Sequence, residues 1–176
     1  EQEPSDKNEL FHWILTLAIA VIIALCVNRF VLVNAEIPSG SMENTIMTGD
    51  RVFGNRLAYI FGEPKRFDII IFRYPDDEKQ LFIKRIIGLP GETVEIHDGQ
   101  IFIDGSKTPL KDVTTKEFMQ GSFGPYTVPD NCYFVMGDNR NNSKDSRYWE
   151  HTFVTDDEIV GKAFLRYWPL NKIKFL

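Results

Sequence analysis

The segment "IPSGSM", residues 37–42, places two serines directly after a long apolar run. A serine hydroxyl such as that of Ser41 is a weak nucleophile unless a nearby base removes its proton during attack. Histidine is the usual base, and the chain has three: His12, His97 and His151. His12 lies inside the apolar run, and nothing around the other two arranges a Ser-His-Asp triad. We therefore expect a different base and interpret His97 and His151 as solvated or structurally hydrogen-bonded rings.

The strand-like segment "LFIKRIIG" contains a lysine that could serve as the base. Alternation along a strand puts Phe82, Lys84 and Ile86 on one face, so the lysine shares an apolar face. If that face is buried, desolvation lowers the pKa of the amine from about 10.4 toward neutrality, and the uncharged form can accept a proton. The alternative is an edge-strand lysine whose head group remains in water.

A dense polar loop, "MGDNRNNSKDSRYW", follows a predicted strand at residues 136–149. A high proportion of polar residues is by itself typical of a solvated turn. Such a loop could also orient a lysine, because a neutral amine needs hydrogen-bond partners that hold its lone pair toward the nucleophile. Ser143 is a suitable neutral partner, and Asp145 and Arg147 could brace one another.

The apolar run from Leu10 to Val27 has 18 residues without a formal charge and would span about 27 Å as a helix. A buried core helix and a cleavable signal peptide are alternatives, and "VNA" at 33–35 favours the second slightly. The preceding "EQEPSDKNE" holds four acids and one lysine, unlike the basic start of a secretory signal. We therefore predict an uncleaved membrane anchor. Lys7 before the helix and Arg29 after it are one basic residue on each side, so the distribution of positive charge hardly indicates its orientation.

After Arg29 the pattern is that of a β protein, with short apolar segments separated by Pro, Gly, Asn and Asp. Asp98-Gly99 is a hairpin signal, because a type I′ turn needs positive φ at both central positions. We predict a tail at 1–9, a transmembrane helix at 10–28 and a β-rich domain at 29–176, with a small inserted lobe at about 92–134. The predicted strands are Arg51–Gly54, Phe67–Phe72, Leu81–Ile87, Val94–Ile96, Ile101–Ile103, Cys132–Met136 and Ile159–Trp168.

The charge balance argues against nucleic acid as a partner. The 176 residues carry 20 Lys and Arg against 25 Asp and Glu, a net charge of -5, without a concentrated positive field. The two cysteines, Cys26 and Cys132, have no metal-ligand spacing, and the first lies inside the apolar run. We expect two free thiols.

Three motifs occur in order after the apolar run: "PSGSM" at 38–42, "KRIIGLPGE" at 84–92 and "GDNRNNSKDSR" at 137–147. Together they resemble the type I signal peptidases, membrane-anchored Ser/Lys proteases that remove signal peptides from exported proteins. The resemblance implies a mainly β fold, an antiparallel coiled sheet like that of the SOS-repressor proteases, with one N-terminal transmembrane helix. It implies that Ser41 is the nucleophile and Lys84 the general base, and that Ser143 hydrogen-bonds the lysine. The Ser39 hydroxyl and the Ser41 backbone N–H would form the oxyanion hole.

By the same resemblance, Asp145 and Arg147 form a supporting ion pair and Asp138 belongs to the scaffold of the loop. Signal peptides of exported preproteins would be the partners, cut at the membrane surface after small residues of the Ala-x-Ala type. The domain would lie on the extracytoplasmic face of the lipid bilayer, and no cofactor or metal is expected. Shallow apolar pockets for the small residues would be lined by Ile37, Pro38, Met42, Phe82 and Ile83.

The chain departs from the family pattern at two positions. Asn44 stands where the family commonly has proline, and because asparagine does not fix φ, this change would loosen the turn after Ser41. Asn141 stands where the family commonly has aspartate, and this change removes one charge from the loop. Two other functions remain as alternatives. A self-cleaving Ser/Lys protease should carry an N-terminal DNA-binding region, and none is visible; an inactive membrane-tethered module would bind exported peptides without cutting them.

Overall fold

A long N-terminal helix precedes the β-rich part of the chain. The computed structural model describes residues 6–112 and 118–176. Helix α1, Asp6–Cys26, continues into a π-helical turn at Val27–Val31. The segment Glu9–Val31 is long and apolar enough to cross a membrane, about 35 Å at 1.5 Å per residue, and its most apolar window is not buried against the rest of the protein. A core helix would be buried, so this finding does not support that alternative.

The described residues form eleven strands in two antiparallel sheets. The larger sheet has eight strands in the order β1-β2-β10-β3-β4-β8-β9, with β11 on β10, and the smaller has the order β6-β5-β7. The mainly antiparallel β fold predicted from the sequence is therefore confirmed. The strands are β1 Leu32–Glu36, β2 Arg51–Asn55, β3 Ile69–Tyr74, β4 Asp77–Gly88, β5 Thr93–His97, β6 Gln100–Ile103, β7 Phe123–Thr127, β8 Cys132–Met136, β9 Val154–Thr155, β10 Ile159–Trp168 and β11 Lys174–Phe175.

Each of the seven predicted strands overlaps an observed one, although several boundaries differ, and β4 begins at Asp77 rather than at Leu81. Phe67 was predicted to begin a strand, but its φ is +71°, a left-handed conformation that does not fit an extended strand. Strands β1, β7, β9 and β11 were not predicted. β1 continues directly from the apolar run, β7 contains Gly124 and Pro125, and the other two have two residues each.

The smaller sheet lies between β4 and β8 in the chain. Its first hairpin has Asp98 and Gly99 at φ of 46° and 76°, as the turn signal predicted. Val94, Ile96 and Ile101 pack with Phe134 of β8 in one apolar cluster. The predicted lobe at about 92–134 covers this sheet, and residues 113–117 of that range lie outside the described residues.

The main sheet places one apolar cluster directly beneath the "IPSGSM" segment. Ile37 and Met42 pack in this cluster with Val52, Ile71 and Ile83, which come from β2, β3 and β4. Met42 is 0% exposed. The residues on both sides of the candidate nucleophile are therefore anchored in the core, so Ser41 is held by packing.

Candidate active site

Ser41 lies in a single 3-10 turn, Gly40–Met42, that follows β1. Backbone hydrogen bonds at Ile37 fix the entry to this turn, since its N–H donates to Asp50 and its carbonyl accepts from Gly49. The side chain of Asn139 donates to the carbonyl of Gly40 at 3.0 Å. Ser41 is 8% exposed, so its hydroxyl lies at the edge of a largely dry environment.

Lys84 of β4 reaches this hydroxyl. Its Nζ donates to Ser41 Oγ at 2.7 Å and to the Ile83 carbonyl at 3.1 Å, and the residue is only 3% exposed. Burial lowers the pKa of Lys84 from 10.5 to about 8, although the carboxylates of Asp145 and Asp138 act in the opposite direction. An amine with such a pKa is partly uncharged near neutral pH and can accept the proton of a hydroxyl.

The buried carboxylate of Asp145 accepts several hydrogen bonds from other residues of the 137–147 loop. Arg147 donates to both of its oxygens, from Nε at 2.8 Å and from Nη2 at 2.9 Å, and the Gly137 N–H donates to it at 3.0 Å. Arg147 also donates to the Arg140 carbonyl at 2.7 Å. The side chains of this pair are 0% and 1% exposed, so the predicted ion pair is a buried element of the loop.

A second buried ion pair joins the loop to β4 and to the segment after Ser41. Arg85 donates from Nε and Nη2 to the two oxygens of Asp138 at 2.7 and 2.6 Å. The Thr45 hydroxyl donates to the same carboxylate at 2.5 Å. Because Arg85 follows Lys84 in β4, this pair fixes the strand, the loop and the serine segment relative to one another.

Ser143 is buried beside Ser41 and Lys84, the candidate dyad, but the predicted hydrogen bond to Lys84 is not among the contacts of the lysine. The Ser143 hydroxyl has no hydrogen-bond partner in the described part of the chain. The backbone of Gly137 lies very close to it, since a Cβ at Gly137 would come within 2.3 Å of Ser143 Oγ and within 2.3 Å of the Ser41 carbonyl oxygen. The glycine is therefore what allows the loop to approach the serine turn.

Ser39 lies at the exposed rim, with its hydroxyl 3.4 Å from Ser41 Oγ. Asn139 was not selected from the sequence, yet its backbone N–H donates to the Ser41 carbonyl at 3.0 Å. The only signal for it was its place in the "GDNR" motif. These contacts leave the hydroxyl of Ser39 next to that of Ser41 and fix the backbone of Ser41 from the loop side.

The two departures from the family pattern have structural explanations. Asn44 has a φ of +91°, which asparagine tolerates and proline cannot adopt. The side chain of Asn141 accepts a hydrogen bond from the Gln120 N–H at 2.9 Å and donates one to the Phe118 carbonyl at 3.0 Å. An aspartate could only accept, so the amide joins the loop to the segment before β7 in a way that a carboxylate could not.

The two histidines of the β-rich part contact acids at exposed positions. His97 pairs with Glu95 at 2.9 Å, and His151 contacts Asp76 at 3.0 Å. Neither is among the hydrogen-bond partners of Ser41. In the described residues, no group of three or more His, Cys, Asp or Glu side chains could hold a metal ion.

A cavity of about 590 Å³ opens beside Ser41 and Lys84, between β1 with its following turn and the middle of β4. Ile37, Pro38, Phe82 and Ile83, four of the five residues expected to line substrate pockets, line this cavity. Met42 does not: it points into the core, because its side chain completes the apolar cluster beneath the turn. The remaining lining residues are Asn34, Ala35, Glu36, Ser39, Gly40, Ser41, Ile71, Gln80, Leu81, Lys84, Asn142 and Lys144.

Comparisons with known proteins identify relatives over nearly the whole chain. The model of the family "Signal peptidase, peptidase S26" matches residues 10–168. A signal peptidase I of Leptolyngbya laminosa is 38% identical over 97% of this chain and 86% of its own length. A signal peptidase I of Bacillus licheniformis is 36% identical over 99% of this chain and 97% of its own length. A crystal structure of a signal peptidase I from Enterococcus faecalis, 37% identical, covers 57% of this chain and 96% of its own at a TM-score of 0.49.

Proposed function

The chain belongs to the signal peptidase family, peptidase S26, and is a serine peptidase that removes signal peptides from preproteins; we propose that Ser41 and Lys84 carry out this reaction. The observation that supports these roles best is the 2.7 Å contact between Lys84 Nζ and Ser41 Oγ in a buried setting. In the proposed first step, Ser41 Oγ attacks the scissile carbonyl carbon while Lys84 takes the hydroxyl proton. A tetrahedral intermediate forms, and the carbonyl oxygen becomes an oxyanion.

The Ser39 hydroxyl and the Ser41 backbone N–H would donate to that oxyanion. The position of Ser39 Oγ, 3.4 Å from Ser41 Oγ, supports this assignment. Donors of this kind act strongly in a site from which water is largely excluded, and loss of one typically slows turnover about 100- to 1000-fold. Asp145, Arg147 and the Arg85–Asp138 pair would hold the loop and β4 in place.

Collapse of the intermediate breaks the C–N bond, and the Lys84 ammonium gives its proton to the leaving amine. An acyl-enzyme on Ser41 remains. Lys84, again neutral, would then take a proton from a water that attacks the ester, and return it to Ser41 as the acid product leaves. We propose that Ser143 contributes to this site as a hydrogen-bond partner of the lysine once substrate is bound, since its buried hydroxyl has no other partner in the described residues.

Small residues before the cleaved bond, as in Ala-x-Ala sites, would fit the apolar walls that Ile37, Pro38, Phe82 and Ile83 give the cavity. β1 is an edge strand of the main sheet, so its free side can pair with an extended peptide. These apolar walls favour small side chains without charge.

The N-terminal helix anchors the enzyme in the membrane, and we propose the lipid bilayer as its partner and the extracytoplasmic face as the location of the domain. The Arg56 N–H donates to the Val31 carbonyl at 2.8 Å and Arg56 Nε to the Leu32 carbonyl at 3.0 Å. These bonds tie the end of β2 to the end of the helix, which would keep the cavity close to the membrane surface. With its net charge of -5, the chain is not proposed to bind nucleic acid.

The proposed roles predict the outcome of a cleavage assay with the detergent-solubilised full chain and a preprotein carrying an Ala-x-Ala site. The wild type should cut after the small residue, whereas Ser41→Ala and Lys84→Ala should each lose roughly 10⁴-fold or more in kcat, because each removes a reacting group. Mass spectrometry of the products gives the cut position.

The matched control is Lys79→Ala, which removes an exposed lysine from the same strand outside the cavity. It should retain wild-type activity. Binding of the preprotein without cleavage would favour the inactive module. Self-cleavage of the chain without cleavage of the preprotein would favour the self-cleaving protease. Full activity in either dyad variant would exclude the proposed chemistry.

A further inference from the structure

The cavity beside the dyad is lined by three formally charged residues in the described part of the chain: Glu36, Lys84 and Lys144. Glu36 is paired with Arg51 at 3.4 Å. Lys84 is buried and bound to the nucleophile. Lys144 differs from both, because it is exposed and no carboxylate of the described residues lies within ion-pair distance of its ammonium.

The backbone of Lys144 is held in place by its neighbours in the loop. Ser143 and Asp145 on either side are buried, and Asp145 is fixed by Arg147 and by the Gly137 N–H. The lysine itself is exposed. A fixed backbone with an exposed side chain keeps the charge beside the cavity, although the ammonium can still adjust to a bound peptide.

The ammonium of Lys144 lies over an aromatic wall. Its Nζ is 5.8 Å from the centre of the Tyr74 ring, and that ring stacks on Phe82 of the cavity at 4.4 Å. The acid that contacts Tyr74 is already engaged, since the Asp76 carboxylate accepts from the Tyr74 hydroxyl and from His151. A contact with a ring face leaves the ammonium free to pair with a carboxylate supplied by a ligand.

An extended peptide across the cavity cannot bury every side chain, because successive side chains point to opposite sides. If small residues enter the apolar pockets, the residues between and beyond them face the rim. A carboxylate there would be attracted to Lys144, and a second ammonium would be repelled.

We propose that Lys144 is a specificity-determining residue that favours substrates with an acidic side chain in the segment flanking the scissile bond. This proposal rests on the proposed function, because it concerns the peptide that the dyad cuts. An exposed ion pair is worth little, so the expected preference for glutamate over lysine is about three- to tenfold in kcat/KM. The preference should weaken as salt is added.

The test uses a set of peptides that share one Ala-x-Ala site and carry Gln, Glu or Lys at each other position from four residues before the bond to two residues after it. We expect the wild type at low ionic strength to cut the Glu member faster than the Lys member at one or more positions. Lys144→Ala should abolish this difference and Lys144→Glu should reverse it, each ratio being taken between the Glu and Lys members cut by the same variant.

The matched control is Lys79→Glu, which makes the same change of charge on β4 outside the cavity and should leave the Glu-to-Lys ratio unchanged. An equal ratio in the wild type and in Lys144→Glu at every position would overturn the proposal. Failure of the proposed function is a different result, because no member of the set, including the Gln members, would then be cut by the wild type.

Discussion

Lys84→Met is expected to produce a protein that is inactive and more stable than the wild type at neutral pH. The substitution replaces a buried ammonium with an uncharged side chain of similar length. The pKa of Lys84 falls from 10.5 in its ordinary state to about 8 in the folded protein, which corresponds to about 3 kcal/mol of folding free energy. Cleavage should fall to background, because Ser41 loses its base.

The gain in stability should depend on pH in a defined direction. Between pH 8 and 10.5 the unfolded wild type binds more protons at Lys84 than the folded one, so wild-type stability rises with pH across this window. Below about pH 8 the full cost of burying the charge is present, and above about pH 10.5 it is gone. The difference in free energy of unfolding between Lys84→Met and the wild type should therefore be largest near pH 7 and approach zero as the pH approaches 10.5.

Denaturant-induced unfolding of the full chain in detergent at several pH values measures this difference. Lys79→Met serves as the control, because it removes a lysine from the exposed part of β4 and should leave the free energy of unfolding nearly unchanged. A loss of stability in Lys84→Met at pH 7 would mean that the ammonium is stabilised in the folded protein, contrary to the proposed state of the base.

Gly137→Ala should lose roughly 100-fold or more in activity, because the added methyl group has no space at the centre of the site. Its Cβ would lie 2.3 Å from the Ser41 carbonyl oxygen and 2.3 Å from Ser143 Oγ. The Ser143 hydroxyl can rotate away, but the backbone of Ser41 must move, and displacement of a nucleophile by about 1 Å can cost about 100-fold. We also expect a destabilisation of about 1–3 kcal/mol from overpacking.

The kcat for preprotein cleavage and the midpoint of thermal unfolding together test this expectation. Gly62→Ala is a matched control, since a Cβ there would meet its nearest neighbour, the Ala58 carbonyl oxygen, at an ordinary 3.6 Å. That variant should behave like the wild type. A fully active Gly137→Ala would show that the loop does not depend on this close approach.

The candidate residues Ser41 and Lys84 could be selected from the sequence because local patterns single them out. The alternation around Lys84 predicted an apolar face, and its low exposure confirms that the side chain is buried. Ser41 was singled out by its place after the apolar run. Their contact could be inferred only from the resemblance, since the two residues are 43 positions apart and meet through strand pairing that no local pattern specifies.

The contacts that position Ser41 and Lys84 were harder to predict from the sequence. The Arg85–Asp138 pair and the hydrogen bonds of Asn139 join segments that are distant in the chain, so only the assembled sheet brings them together. Met42 was expected to line a substrate pocket because it adjoins the nucleophile, but the tight turn at Gly40–Met42 directs it into the core. The role of Asn141 depends on backbone groups of the neighbouring segment, which the loop sequence does not reveal.

The pH dependence of kcat/KM for a short, non-titrating peptide substrate tests the state of the lysine most directly. The proposed mechanism predicts that kcat/KM increases about tenfold per pH unit in the acidic range and levels off around pH 8, the pKa of Lys84 in the free enzyme. A profile that levels off near 10.5, as for a solvated lysine, or near 6.5, as for a histidine, would contradict it.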